Sequence, residues 1–141
     1  MRGALMALCC LLCLSCSHTP AADAIRKAIT DISAAAEAQQ RANVLGHVSE
    51  DFIGNGELDI KQLDSFLRAQ MLGAKSLGVR VSAIKIDIQG ERAQAQFDAY
   101  ITDSSGRWIA DRAVTLHFET FWRRERGDWR CYNAKWSSDA R

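Results

Sequence analysis

The chain has 141 residues, 48% of them hydrophobic, with 18 Lys and Arg against 17 Asp and Glu. That is one domain's worth of sequence with material for a sizeable core, and the near-neutral mixture of signs argues against broad nucleic-acid binding or electrostatic adhesion to anionic lipid. Four of the five cysteines lie within the first 16 residues and only Cys131 lies beyond, so no intramolecular disulfide is expected in a processed chain and the fold must rest on its apolar core.

Arg2 precedes an apolar run, Ala4–Leu14, which ends in Leu14-Ser15-Cys16 before a polar segment, Ser17-His18-Thr19-Pro20. A charge, a short apolar stretch, a small residue and a break make an export signal, too short to span a bilayer as a stable helix. The Cys after a small residue resembles the lipobox of bacterial lipoproteins, although Cys13 stands where the motif prefers Leu. The resemblance implies cleavage before Cys16 and lipidation of that residue. Residues 1–15 are then a signal peptide, 16–21 the lipidated Cys and a short tether, and 22–138 the folded domain. Each acyl CH₂ buried contributes about 0.8 kcal/mol, so two or more chains hold a protein on a membrane. Ser17 after the Cys implies an outer-membrane destination with the domain facing the periplasm. The alternative is an ordinary signal cut after Ala21 or Ala22, leaving a soluble periplasmic or secreted protein. Removing residues 1–15 leaves 17 basic and 17 acidic residues.

Beyond the tether, Thr19 and Pro20 suit a helix cap and first turn. Ala21–Ala42 is rich in helix formers, with Ile25, Ile29, Ile32 and Ala36 in one stripe. A second, shorter helix is expected over Val44–Phe52, and Gly54-Asn55-Gly56 then breaks the chain. Asp59 with Gln62 reads as a capping box before Ile60, Leu63, Phe66, Leu67 and Met71. Gly73 weakens that helix and Gly78 is expected to stop it.

From Val79 the apolar period becomes two. Val79 and Val81 alternate, then Ile84, Ile86 and Ile88 follow after a shift near Ala83 that reads as a bulge. Gln89–Arg92 is a turn. Ala93, Ala95, Phe97, Ala99 and Ile101 alternate with Gln94, Gln96, Asp98 and Tyr100, and Asp103–Gly106 is expected to be loop. Arg112–Arg124 places Val114, Leu116, Phe118 and Trp122 on one side and Thr115, His117, Glu119 and Phe121 on the other. Trp129–Ser137 returns after the Gly127-Asp128 turn. The expected class is α+β, three N-terminal helices packed on a curved, mainly antiparallel sheet of about four strands.

In its long first helix, the Val48-Ser49-Glu50-Asp51-Phe52 segment and the closing hairpin, the chain resembles the nuclear transport factor 2-like family of cystatin-like cones. The hairpin reads Thr120-Phe121-Trp122-Arg123-Arg124, Gly127-Asp128-Trp129-Arg130 and Ala134-Lys135-Trp136. The resemblance covers residues 22–138 and implies a pocket between helices and concave sheet. It also implies that enzymes of the fold (isomerases, dehydratases, cyclases) hold Asp, Tyr or His inside that pocket, and that dimers form through the sheet face. Here the polar strand residues Asp98, Tyr100, His117 and Glu119 oppose a better apolar face, so they are expected outside. With Phe121 they would line an interface, or a pocket if the faces are inverted.

Asp51–Gln62 resembles an EF-hand loop, with Asp51, Asn55, Gly56, Leu58 and Asp59 in register. Ile53 and Gln62 stand where strong ligands are needed, so a capped turn is the better reading and no metal is expected. His18 and His47 lack partners at ligand spacing. Cys131 is expected to be buried and inert, and Arg123, Arg124, Arg126 and Arg130 to be a solvated hairpin tip. No residue is assigned as catalytic and no cofactor is expected. The expected function is a lipid-anchored envelope protein that binds, without catalysis, either a small apolar ligand in the cone or a protein partner on the sheet face, a second copy included. A pocket enzyme using His117, Glu119 or Asp98 and a structural accessory subunit are the alternatives.

Overall fold

A computed structural model describes residues 19–104 and 112–139; Cys16, His18 and Trp108 lie outside them. Helix α1 spans Pro20–Glu37, started by the Thr19 hydroxyl, which accepts from the Ala22 amide, and by Pro20 in the first turn. It buries Ile25, Ala28, Ile29 and Ala35. The helix stops short of the expected Ala42 because Gln39 turns left-handed, at φ 55°. The Gln39 amide donates to the Ala74 carbonyl, so a contact distant in sequence holds the break. Helix α2 is confined to Arg41–Leu45.

The helix expected over Val44–Phe52 is instead strand β1, Val48–Gly54. Its parallel pairing with the last strand, Val48 opposite Cys131 and Ile53 opposite Asn133, overrides weak local helix propensity. A tight turn through Asn55 and Gly56 leads into β2, Leu58–Asp59, and α3, Ile60–Gly73. The Asp59–Gln62 capping box forms in full. Gly78 does not stop the helix. It lies inside β3, Ser76–Val81, where a Cβ would come within 2.4 Å of the Thr102 hydroxyl.

The expected bulge near Ala83 is a break between two strands, β3 and β4 (Lys85–Gln89), both paired with β5 (Arg92–Ser104). Asp103 and Ser104 belong to β5 and not to a loop. Strands β6, Arg112–Glu125, and β7, Asp128–Ser138, complete a seven-stranded sheet in the order β2-β1-β7-β6-β5-β3, with β4 beside β5. The expected four strands become seven because β1 and β2 show no two-residue apolar period and because one run divides. The helices do not all come first: β1 and β2 precede α3.

One face of the sheet is covered. Ile25 and Ile29 pack with Ala93, Ala95, Trp122, Trp129, Cys131 and Ala134, joined by Val48 and Phe52. Trp122 is 1% exposed, its indole N–H donating to Thr120 Oγ1, which in turn donates to the Ala95 carbonyl. A second cluster, Ala35, Val44 and Met71 with Leu67 and Leu77, closes the opposite end of α1.

Candidate functional site

Register sorts the polar residues. Within β5 and β6, Ala93 faces Trp122, Ala95 faces Thr120, Phe97 faces Phe118 and Ala99 faces Leu116, all on the inner side. The intervening pairs, Gln94 with Phe121, Gln96 with Glu119, Asp98 with His117 and Tyr100 with Thr115, fall on the outer side. Asp98, Tyr100, His117, Glu119 and Phe121 are thus together on the outer face, as the alternation suggested, and away from the cone.

They make two ionic groups. His117 sits between two carboxylates, its Nδ1 2.6 Å from Asp98 and its Nε2 2.7 Å from Asp139. Glu119 does not join His117; it accepts from the Gln94 amide. Both ring nitrogens can donate only in the imidazolium form. The hydrogen bonds to Asp139 and Asp98 accordingly raise the His117 pKa above its ordinary value. With both nitrogens engaged, the ring has no free lone pair to act as a base. A shallow depression of about 410 Å³ is lined by Gln96, Asp98, His117, Glu119, Lys135 and Ser137, together with Phe97, Phe118 and Trp136. It is open to solvent, and the ring is half-exposed. Beside it, Phe121 and Tyr132 lie 6.5 Å apart, with Arg92 and Arg123 over the Tyr132 ring and Lys135 over Phe121.

The residues of the EF-hand-like segment are employed elsewhere. Asp51 pairs with Arg123, which holds its carboxyl below the usual range, and Asp59 caps α3. Among the described residues no cluster of His, Cys, Asp and Glu is arranged to hold a metal. Burial pushes the Cys131 thiol up to about 12, and its Sγ–H is turned to the Asn133 carbonyl, as an inert core cysteine requires. Three of the four hairpin arginines have partners: Arg123 with Asp51 and Glu125, Arg124 with the Trp129 ring and Arg130 with the Gly46 carbonyl; Arg126 stands exposed at the turn.

The inner face around Phe97, Phe118 and Trp136 is different in kind. Phe97 and Phe118 stack at 5.2 Å, and Phe118 meets Trp136 at 6.0 Å. All three, with Ile101 and Leu116, are only half-buried, while Val114 and Phe66 are 43% and 45% exposed. Asp103 ends this row. From the sequence it reads as the start of a loop, but extending the β5 alternation by one step places it at the end of this strand, opposite Arg112.

In fold, the chain is similar to a scytalone dehydratase candidate from Novosphingobium aromaticivorans, at TM-score 0.76 and 14% identity over 84% of this chain and 83% of that one. It is also similar to a nuclear transport factor 2-like superfamily protein from Salmonella enterica, at TM-score 0.71 and 16% identity over 83% and 89%. The chain has the nuclear transport factor 2-like fold. A hexachlorocyclohexane dehydrochlorinase from Novosphingobium barchaimii shares it at TM-score 0.70 and 8% identity over 85% and 87%. Neither a protein-family model nor a curated protein matches the sequence, so the likeness is one of fold. Fold likeness of this kind does not carry an activity with it.

Proposed function

We propose that this chain is a lipid-anchored envelope protein, held by Cys16, whose nuclear transport factor 2-like domain binds a small apolar molecule in its cone without transforming it. The supporting observation is the division of the sheet: the half-buried wall of Phe97, Leu116, Phe118 and Trp136 faces inward, while the Asp98–His117 pair faces outward. Aromatic walls of this kind suit apolar ligands. Acid–base chemistry of dehydratase type needs a titratable group within reach of the substrate, and the imidazole lies on the opposite side of the sheet from the cone.

The test is native mass spectrometry on residues 17–141, exported to the periplasm and purified without detergent. A discrete extra mass, kept natively and lost on denaturation, is the expected result; a bare polypeptide mass defeats the cone reading. For the anchor, Cys16→Ala should abolish fatty-acid labelling and move the protein from the membrane to the soluble fraction. Unchanged labelling would defeat it.

A protein partner on the outer face, a second copy first among them, is the second reading. It draws on the charge layout, with Arg92 and Arg123 around Tyr132 at one end and Asp98 and Asp139 around His117 at the other. Arg92 and Asp98 are about 20 Å apart at some 3.3 Å per residue, and a two-fold axis between them would set each end against its opposite. Dimer mass in the same spectrum supports this reading.

A further inference from the structure

β3 and β4 both pair with the same side of β5, and the far edge of each faces no strand among the described residues. The β3 edge is closed by α1: the Ser33 hydroxyl donates to the Val79 carbonyl, and the Glu37 carboxylate accepts from the Val79 amide. The β4 edge is different. Gly90 and Glu91 make a two-residue turn, so Gln89 and Arg92 are a hydrogen-bonded pair, and by alternation so are Asp87 with Gln94 and Lys85 with Gln96. The Arg124 amide, which donates to the Glu91 carbonyl from the β6 side, fixes the same parity. The N–H and C=O groups of Ile86 and Ile88 therefore point away from β5, and no group among the described residues is bonded to them. α1 also runs beside β4, but ahead of Ser33 its polar side chains bond within the helix: Arg26 to Asp23, Lys27 to Asp31 and Thr30 to the Arg26 carbonyl. Ile86 and Ile88 pack inward against the core, while Lys85, Asp87 and Gln89 are exposed on the outer side. An open edge of this kind is a template for another strand.

We propose that the β4 edge is an interface between two copies of this chain, in which the β4 strands pair antiparallel about a two-fold axis at Ile86. The residues of the strand select both partner and register. With Ile86 opposite its own counterpart, Lys85 stands opposite Asp87 of the partner subunit and Asp87 opposite the partner's Lys85, two ion pairs on the outer side. Ile88 meets the partner's Ile84 on the inner side, so the apolar rows of the two sheets join. The pattern of main-chain bonds agrees. Ile86 falls in a hydrogen-bonded pair, which uses its free N–H and C=O, and Lys85 and Asp87 fall in non-hydrogen-bonded pairs, where side chains approach most closely. Sliding the strands by two residues would set the two Asp87 carboxylates against each other, and sliding by one would put isoleucines on the charged side. This edge is separate from the outer face described above and from the cone.

The experiment is sedimentation velocity over a concentration series on residues 17–141, which retain every described residue. The unsubstituted chain is expected to dimerise. Lys85→Asp and Asp87→Lys each set like charges opposite one another and should each weaken self-association at least about tenfold. An equimolar mixture of the two variants should recover the dimer, because both cross-strand pairs are again of opposite sign. Tyr132→Ala, on the outer face, should leave the dimer intact. Thermal unfolding checks that each variant is folded. An unsubstituted chain that stays monomeric, a dimer that both charge variants leave unchanged, or a mixture that fails to associate overturns the proposal. A dimer lost in Tyr132→Ala but kept in both charge variants also overturns it, and moves the interface to the outer face. None of these outcomes bears on the cone.

Discussion

The two faces of β5, β6 and β7 share one backbone and one register but use different physics. The inner face holds together by burial: Trp122, Ala95 and Ile25 exclude water almost completely. The outer face is a lattice of ion pairs and cation–π contacts around half-exposed side chains, Asp98–His117–Asp139 at one end and Arg92, Arg123 and Tyr132 at the other. Stability should therefore be concentrated on the inner side, since exposed pairs contribute little and are screened by salt. The outer side should respond mainly to pH and ionic strength.

The largest effect is expected inside. Trp122→Ala should cost about 3–5 kcal/mol in urea unfolding, from lost burial and an unfilled cavity; a loss under 1 kcal/mol would contradict the burial found there. Thr120→Val keeps the volume but strands the Trp122 indole N–H and should cost about 1–3 kcal/mol. Gly54→Ala should cost a similar ~1–3 kcal/mol, because its Cβ would meet the Trp136 ring at 2.7 Å. At the edge of the core, Asp59→Ala removes the α3 cap for about 1 kcal/mol.

Smallest in energy, but sharpest as a contrast, is the titration of two histidines. His117 is raised by its two carboxylates, so its contribution is complete below the unfolded value of 6.5 and is lost as pH rises through the higher folded value. His47 behaves oppositely. Burial chiefly lowers its pKa, against Asp31 and with help from Lys27 and Arg130, so its contribution is present above 6.5 and lost as pH falls through the folded value. Imidazole NMR titrations should separate the two, and Asp139→Asn should lower the His117 midpoint alone. Midpoints that coincide would sink the contrast.

Much of this was legible from spacing. The alternation in Ala93–Ile101 and Val114–Trp122 sorts inner from outer side chains because a pleat has a strict period of two. Asp59 with Gln62, and Thr19 with Pro20, mark helix starts through hydrogen bonds that span only a few residues. The outer position of Asp98, Tyr100, His117 and Glu119 followed from the same alternation. What failed was non-local. Val48–Gly54 became a strand because β7, some eighty residues later, offers it a parallel partner. Gln39 ends α1 where Ala74 meets it, and β5 runs on through Asp103 because β3 and β6 flank it on both sides.

The sequence alone therefore determined the apolar stripe of α1, the caps, the faces of Ala93–Ile101 and Val114–Trp122 and the α+β class, since these depend on period and nearest neighbours. Only the tertiary structure decided that His117 is shared by Asp98 and Asp139, that the Phe97–Phe118–Trp136 wall is only half-buried, and that β5 runs on to Asp103 opposite Arg112. Those outcomes depend on which distant strands pair and in what register. No local window of residues contains that information.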